Sequence, residues 1–544
     1  MATREIFDYI VVGAGSAGCI IAGRLGEEAG ARVLVLEAGG WDWDPFIHIP
    51  LGFGRNAGVY HDWLYQSEPE PAIGGRRMEQ ARGKVIGGCS SVNAMAQVRG
   101  HRSDYDRWAA AGLGQWSYAH ALPYFRKMET WEGGESEYRG GSGPVAVQKN
   151  RYQDPIITAY AEAGRALGYP YNDDYNGRDQ EGFAVHQLTI RNGRRCSAAV
   201  AYLRPAMKRG NVSVRVKALA SRVLFEDERA VGVEYLTGGQ TLAAYASREV
   251  ILSGGVINTP QLLMLSGIGN PDELGVHGIK VKAPIKGVGK NLQDQVVARL
   301  SHLRKEPGPF HRMMRLDRAV TELGKAYLFG RGMATSLPAA GIAFLRSSPE
   351  AAVPDIQIVT VATPHEARPY LAPFVRPYQD LFVSRVILLR PESRGVLKLA
   401  SKDPAAKPLI HQNMLSRDKD WTTFRAGVRI LRALARQGSM RPFIGDETGP
   451  APRDDSDREI DAYIRDIAVS FRHTLGTCKM GSASDPEAVV DPDLRVIGVK
   501  ALRVVDASVM PDLVGGNINA AIMMIAEKAS DLIRGRAPLA AADV

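Results

Sequence analysis

The sequence predicts an α/β fold, and three features near its N-terminus point to that class. Residues 6–12 are a continuous run of mostly apolar, β-branched residues, as in a strand buried inside a parallel sheet. A glycine-rich turn follows at once, and residues 19–25 then have the composition of a helix. A second apolar strand covers 31–36 and is followed by Glu37. Together these segments form a strand–helix–strand unit, from which doubly wound sheets are built.

Length and composition restrict the class of protein further. The 544 residues correspond to about three to four domains of ordinary size, or to two large interleaved ones. Hydrophobic residues make up 45% and charged residues 23%, which excludes a disordered chain, a fibre and a polytopic membrane protein. The net charge is +9, but lysines and arginines are scattered, so we expect a mildly basic enzyme surface and no nucleic-acid partner.

The cysteines and the apolar segments bear on metal binding and compartment. Cys19, Cys89, Cys196 and Cys478 are far apart and form no CxxC pair, which argues against a metal site and suits a reducing compartment. No apolar run reaches the length of a membrane-spanning helix, and no secretory leader precedes the first strand. We therefore expect a cytoplasmic protein without an integral membrane segment.

The glycine-rich turn has the spacing of a dinucleotide-binding fingerprint. Gly13 permits the tight turn, Gly15 lets the backbone approach a pyrophosphate, and Gly18 allows the helix to pack closely on the strand. Ser16 and Ala17 begin the helix, whose N-terminal N–H groups favour negative charge. Glu37, 19 residues after Gly18, can accept hydrogen bonds from a ribose diol. This unit predicts dinucleotide binding and leaves FAD and NAD both open.

Four later segments decide between the two cofactors. They are 82–95 (RGKVIGGCSSVNAM), 254–269 (GGVINTPQLLMLSGIG), 471–481 (FRHTLGTCKMG) and 504–521, which runs from VVDASVMP to GGNINAA. In this order, and with the N-terminal unit, they resemble the glucose–methanol–choline (GMC) family of FAD-dependent oxidoreductases from Phe7 to about Ile533. Within the family, residues 189–205 are similar to bacterial sorbose and related alcohol dehydrogenases and to choline dehydrogenase.

The resemblance implies FAD as the cofactor and a set of residues that hold it. Val92 stands where some members carry the histidine that tethers flavin, so the resemblance implies non-covalent FAD. Gln97 and Val256 also depart from the usual residues of the family, which affects local pocket shape. The implied cofactor-binding residues are Gly13, Gly15, Ser16, Ala17, Gly18, Glu37, Ala38, Arg82, Gly87, Gly88, Ser91, Asn93, Ala94, Asp506, Ala507, Asn519 and Ala520.

The resemblance also implies two interleaved domains. A discontinuous Rossmann-like FAD-binding domain takes 1–155, 197–300 and 475–544. A substrate-binding domain, built on an antiparallel sheet with helices, takes 156–196 and 301–474. Strand-like runs at 248–252, 355–361 and 395–399 and a helical pattern at 421–435 agree with this division. Residues 211–216 and 222–234 alternate as strands of a small antiparallel layer, and 308–332 is either irregular or helical.

Alcohol oxidation requires a base for the hydroxyl proton, and histidine is the residue best suited to that role. The resemblance places the catalytic base at His473. Asn517, 44 residues later, matches a second active-site position and would orient the substrate oxygen, because an amide does not titrate. We expect His48, His61, His101, His186 and His365 to be structural.

The predicted activity is oxidation of a primary or secondary alcohol, such as a sugar, a polyol or another small alcohol, to a carbonyl, with hydride passing to flavin N5 and His473 as base. The partners are the alcohol and an electron acceptor, which could be oxygen, a quinone or a dye-like molecule. An oxygen-using alcohol oxidase, or a redox-neutral lyase or photodecarboxylase on the same fold, remains an alternative. Substrate identity and oligomeric state stay open.

Overall fold

Two seven-stranded sheets form the framework of residues 5–56 and 60–544, which a computed structural model describes. The strands are β1 Ile6–Val12, β2 Val33–Leu36, β3 Tyr65–Gln66, β4 Glu79–Gln80, β5 Glu129–Trp131, β6 Val145–Lys149, β7 Gly182–Val185, β8 Gln187–Leu188, β9 Ile190–Arg191, β10 Arg194–Arg195, β11 Val212–Arg215, β12 Leu219–Glu226, β13 Arg229–Thr237, β14 Gln240–Leu252, β15 Val296–Arg304, β16 Gly341–Leu345, β17 Ile356–Val361, β18 Leu381–Leu388, β19 Val396–Lys398, β20 Leu409–His411, β21 Ile444–Thr448, β22 Val469–Ser470 and β23 Leu502–Val504.

Helices cover both sheets. They are α1 Ser16–Leu25, α2 Pro45–His48, α3 Phe53–Asn56, α4 Cys89–Val92, α5 Arg102–Ala110, α6 Tyr118–Met128, α7 Pro155–Ala166, α8 Arg204–Met207, α9 Gly255–Leu265, α10 Pro271–Val276, α11 Pro309–Met313, α12 Leu316–Phe329, α13 Asp418–Ala435, α14 Asp457–Ile467 and α15 Asn519–Ile533. The predicted helix at 421–435 is thus confirmed within α13, and 308–332 is helical in α11 and α12. Within the described ranges, no helix combines the length and apolar character needed to cross a bilayer.

The first sheet is parallel at its centre. Its order is β11-β2-β1-β14-β13-β12, with β23 also paired to β14, and β11, β2, β1, β14 and β23 run in one direction. Val12 lies in register with Leu36 on one side and Leu252 on the other, so three strands end together. Ligands of open parallel sheets bind beyond such carboxyl ends. The glycine-rich turn begins at this edge.

One strand prediction was wrong in its direction. The segment 211–216 was expected in a small antiparallel layer, but β11 pairs in parallel with β2, with Val212 opposite Val33. The alternating pattern indicates a strand and carries no information on whether that strand runs parallel or antiparallel to its neighbour. The segment 222–234 falls within the antiparallel pair β12 and β13, as predicted.

Helices α1 and α15 pack against each other, although 503 residues separate their contacts. The buried carboxylate of Glu527 accepts from Arg24, with an Nη2–Oε1 distance of 2.8 Å, and from the hydroxyl of Tyr202 at 2.6 Å. At the N-terminal ends, the Ser16 hydroxyl donates to Asn519 Oδ1 at 2.7 Å. The two helix N-termini are therefore held side by side at the edge where β1 and β2 end.

The second sheet is antiparallel, in the order β21-β15-β18-β17-β16-β7 with β22 paired to β15. Helix α13 covers one face so closely that a Cβ added to Gly427 would lie 2.6 Å from Val386 Cγ2. The opposite face includes Val297, Val359 and Ile387 and is turned toward the first sheet. The α/β class with a second, antiparallel sheet is confirmed.

The strands of the two main sheets can be compared with the proposed domain division. β7 and β16–β18 lie in the second sheet, and β1, β2, β11–β14 and β23 in the first. β15 crosses residue 300, where we expected the boundary, and belongs wholly to the second sheet. The division itself stays a proposal.

Candidate active site

A cavity of about 1320 Å³ lies between the two sheets and is lined by residues of both. A pocket for one drug-sized ligand measures roughly 300–1000 Å³, so this volume suits a dinucleotide together with a substrate. The cavity wall includes the predicted site residues Gly13, Gly15, Ser16, Ala17, Glu37, Ala38, Arg82, Gly88, Asn93, Ala94, His473, Asp506, Ala507, Asn517 and Asn519. Gly18, Gly87, Ser91 and Ala520 lie behind this wall.

The glycine turn is tight enough that larger residues do not fit. Gly13 has φ of +95°, and a Cβ there would lie 2.4 Å from the Ser253 carbonyl oxygen. A Cβ at Gly18 would lie 1.9 Å from the Gly13 carbonyl oxygen, and one at Gly88 would lie 2.7 Å from Gly15 Cα. Gly15 is the N-cap of α1 without a side-chain cap, which leaves N–H groups at the cavity. This arrangement fits a pyrophosphate group.

Two buried carboxylates at this end accept from backbone groups. Glu37 accepts from the Ala14 and Gly39 N–H groups at 2.8 and 2.7 Å, and burial raises the pKa of its carboxyl to about 7. Asp506 accepts from the Gly255 N–H at 2.9 Å and from the Thr259 hydroxyl at 2.6 Å. Both carboxylates are fixed in place, and each has lone pairs that can accept from a ligand hydroxyl.

His473 and Asn517 meet at the opposite end of the cavity. The Asn517 Nδ2 amide donates to His473 Nε2 at 3.2 Å, and Asn517 Oδ1 accepts from Gln357 Nε2 at 3.2 Å. His473 Nδ1 lies 2.7 Å from Gln295 Oε1. The Nε2 group of Gln295 donates to the carbonyls of Leu389 and Val514 at 3.2 and 3.3 Å. Because that amide is oriented by two carbonyls, Nδ1 carries the hydrogen and Nε2 presents its lone pair.

His473 is neutral in this environment. Burial and the nearby charge of Arg82 lower the pKa of its imidazole to about 3. Its backbone N–H donates to Asp294 Oδ1 at 2.8 Å, and the other carboxylate oxygen of Asp294 accepts from Ser470 and Thr474. A general base usually has a pKa near the working pH, whereas this imidazole carries an available lone pair throughout the physiological range.

Sequence reasoning missed Asp294, Gln295, Gln357 and Arg385. The run NLQDQ at 291–295, directly before the apolar start of β15, was a usable signal, because polar side chains at the mouth of a buried strand often serve a site. Gln357 and Arg385 lie inside mostly apolar strands, where the sequence pattern gives no sign of a site. His186 also lines the cavity, and burial lowers its pKa to about 4. No cluster of side chains suited to a metal ion occurs in the ranges described.

Sequence models of the GMC oxidoreductase family match this chain twice, over 7–297 and over 391–526. Choline dehydrogenase, mitochondrial, of Homo sapiens is 45% identical over 558 aligned positions, covering 100% of this chain and 92% of the relative. Oxygen-dependent choline dehydrogenase of Brucella anthropi is 43% identical, covering 98% and 97%. The crystal structure of pyridoxine 4-oxidase from Mesorbium loti has a TM-score of 0.86 at 28% identity, covering 98% and 100%. The chain belongs to the GMC oxidoreductase family and is an FAD-dependent oxidoreductase that acts on the CH–OH group of alcohols.

Proposed function

We propose that this oxidoreductase removes the hydroxyl proton of its alcohol substrate through His473 Nε2, while Asn517 orients the substrate oxygen. The observation that carries the proposal is the oriented His473–Asn517 pair. Nε2 presents a lone pair toward the Asn517 amide in the cavity, and Gln295 holds the opposite ring nitrogen. FAD, when bound, supplies the hydride acceptor at N5.

The chain's own groups then have distinct tasks. His473 accepts the hydroxyl proton at Nε2, for which its neutral state is required. Gln295 keeps the hydrogen on Nδ1 by accepting from it, and acts as a positioning residue. The Asn517 amide can donate to a substrate oxygen at the same place, and Gln357 fixes the amide's orientation. The pair lines the cavity, where bound FAD and substrate would displace competing water.

The proposed FAD contacts are divided along the cavity. The turn Gly13–Gly18 would hold the pyrophosphate, the start of α15 would hold the flavin pyrimidine, and Glu37 would accept from the ribose. Among the residues from 87 to 94, Gly88, Asn93 and Ala94 line the cavity and would lie against the flavin. Because Val92 lines the cavity and has no nucleophilic atom, we propose that FAD is held without a covalent bond.

The names of the relatives and the state of the cysteines bear on the electron acceptor and the compartment. Similar proteins are named both as dehydrogenases and as oxidases, and the proposed acceptor is oxygen, a quinone or a dye-like molecule. All four cysteines are unpaired, which supports the reducing cytoplasm. One relative is named as mitochondrial, and the matrix is a second candidate.

The test is anaerobic stopped-flow reduction of bound FAD by the best alcohol from a screen. His473→Ala should retain FAD and lose about 10²- to 10⁴-fold in the rate of flavin bleaching, as for a lost acid–base group. Asn517→Ala should lose rate and substrate affinity together through poorer alignment. His277→Ala, which removes a histidine at the end of α10, is the matched control and should keep the wild-type rate.

Two outcomes contradict the proposal. If His473→Ala bleaches within about threefold of wild type, far short of an acid–base contribution, another group is the base. If product forms without any flavin bleaching or electron acceptor, the chemistry is that of the redox-neutral alternative.

A further inference from the structure

We propose that the preferred alcohol of this enzyme carries an anionic group, a carboxylate, sulfonate or phosphate, which is bound by Arg385 with support from Arg299. This inference rests on the proposed function and names the substrate class of the same cavity. The inferred substrate charge is opposite to that of choline, the quaternary ammonium alcohol that appears in the names of two relatives.

Arg385 and Arg299 stand next to each other on the cavity face of the second sheet. Arg385 on β18 is directly opposite Arg299 on β15 and Val359 on β17. Directly paired residues project from the same face, and Arg299, Val359 and Arg385 all line the cavity. The arginines are thus fixed by strand register and reach into the substrate end.

Within the part of the chain that the structure describes, neither guanidinium has a hydrogen-bonding or ion-pair partner. The contrast with Arg304 on β15 is direct, because Arg304 binds Asp154 at 2.7 Å. Burial and the charges of Arg299 and Arg472 lower the pKa of Arg385 to about 10, and it remains a cation at neutral pH. A cation that is shielded from water and has no counter-charge raises the free energy of the folded protein, and a bound anion lowers it again.

The acidic residues of the cavity wall are engaged elsewhere. Glu37 and Asp506 accept from backbone groups at the other end. Asp62 accepts from the Leu64 N–H at 2.7 Å, and Glu79 pairs with Arg472 at 3.0 Å. Asp466 is exposed, on the side of Arg76. No acid of the described cavity wall is therefore committed to Arg385 or placed to receive a substrate cation beside it.

The register also sets the distance from the reacting group. Ile387, two residues beyond Arg385 on the same face of β18, is opposite Gln357, which donates to Asn517. Two residues of a strand span about 7 Å. Arg385 therefore lies roughly one short substrate length from the His473–Asn517 pair. Small hydroxy acids and hydroxymethyl-substituted aromatic acids have this separation between hydroxyl and anion.

The experiment compares alcohols that differ only in charge. One set is 4-(hydroxymethyl)benzoate, benzyl alcohol and 4-(aminomethyl)benzyl alcohol. A second set is 3-hydroxypropanoate, 2-hydroxyethanesulfonate and 2-hydroxyethyl phosphate, with 1,3-propanediol as neutral and choline as cationic member. The holoenzyme is expected to give the largest kcat/KM for flavin reduction with an anionic member, and the second set identifies which anion fits.

Binding of unreactive analogues supplies a readout that does not depend on turnover. The dissociation constants of 4-methylbenzoate and propanoate are measured from the perturbation of the flavin spectrum. Arg385→Gln should weaken these anions and reduce the anion preference by about 10- to 100-fold, as for loss of a charged hydrogen bond. It should change neutral alcohols by less than about threefold, well below that range. Arg385→Lys should retain part of the preference, and Arg458→Gln on the exposed surface of α14 should leave it unchanged.

Each outcome decides a different point. A wild-type enzyme that prefers the cationic or neutral member of both sets overturns the inference, whether or not any variant folds. An unchanged anion preference in Arg385→Gln also overturns it. If no alcohol of any charge reduces the flavin, the proposed function fails, and the analogue dissociation constants still show whether Arg385 binds anions.

Discussion

The two ends of the cavity are built in different ways. At the end near the first sheet, glycine backbone, two helix N-termini and two carboxylates that accept from backbone groups form the wall. At the end near the second sheet, side chains from several strands form it, among them Val359, Arg385 and Arg299. Backbone geometry thus serves a group common to a family, whereas side chains placed by register can change from one member to another.

The electrostatic state of the two ends differs as well. Glu37 and Asp506 each accept from at least two donors of the protein, which partly compensate their charges, although burial still raises the pKa of both carboxyls. Arg385 has no such compensation among the residues described. The comparison indicates that the substrate end depends more than the cofactor end on a ligand to compensate its charge.

The largest effect is expected from a change at the glycine turn. In Gly18→Val the new Cβ would lie 1.9 Å from the Gly13 carbonyl oxygen, so α1 must move away from β1. The expected result is protein without FAD and with a lowered melting temperature, measured as flavin absorbance per chain and by thermal unfolding. Gly30→Ala is the matched control, since no atom lies within 4 Å of its added Cβ. A yellow Gly18→Val protein with wild-type flavin content would show that the turn does not determine binding.

A smaller effect is expected from Gln295, at the other end. Gln295→Leu removes the acceptor for His473 Nδ1, and the rate of flavin reduction should fall about 10- to 100-fold, the value of a hydrogen bond to a group that becomes charged. FAD content should not change. Gln295→Glu restores an acceptor and adds a negative charge, so it should recover rate and raise the pKa of His473.

A merely structural role for Gln295 predicts a different result. It predicts equal losses in both variants and no shift in the pH profile. Stopped-flow rates between pH 5 and 9 distinguish the two cases.

The smallest effect is expected from pH on the wild type. With the pKa of His473 lowered to about 3, the rate of flavin reduction should stay constant within about twofold from pH 5.5 to 8.5. An imidazole with an ordinary pKa of about 6.5 would give a rise of about tenfold over this range. A rise of that size would show that ligands at this end restore the usual pKa.

The lowered pKa of His473 also makes the stability of the folded protein depend on pH. The folded pKa of His473 lies below its unfolded value, so the unfolded chain binds more protons between about pH 3 and 6.5. The stabilisation is complete above about pH 6.5 and is lost as pH falls toward 3. His186 and His302, with pKa values lowered to about 4 by burial, act in the same direction. Melting temperatures between pH 4.5 and 8 measure the combined loss.

Much of the cofactor end could be predicted, because its determinants are contiguous in the chain. The strand at 6–12, the glycine spacing and Glu37 are found where the structure has β1, the turn and the end of β2. The meeting of His473 and Asn517 was also expected, from their motifs. The direction of β11 was not expected. Alternation of apolar and polar residues specifies a strand, but only the pairing with β2 shows that this strand is parallel.

The sequence by itself determined the α/β class and the dinucleotide turn, because local backbone requirements and short spacings encode them, and its resemblance to the GMC family implied the histidine–asparagine pair. Only the tertiary structure decided the rest. It placed Gln295 behind His473, aligned Gln357 with Asn517, and left Arg385 opposite Arg299 without an acid. These contacts join positions far apart in the chain. They depend on strand register, where a shift of one residue would turn each side chain to the opposite face.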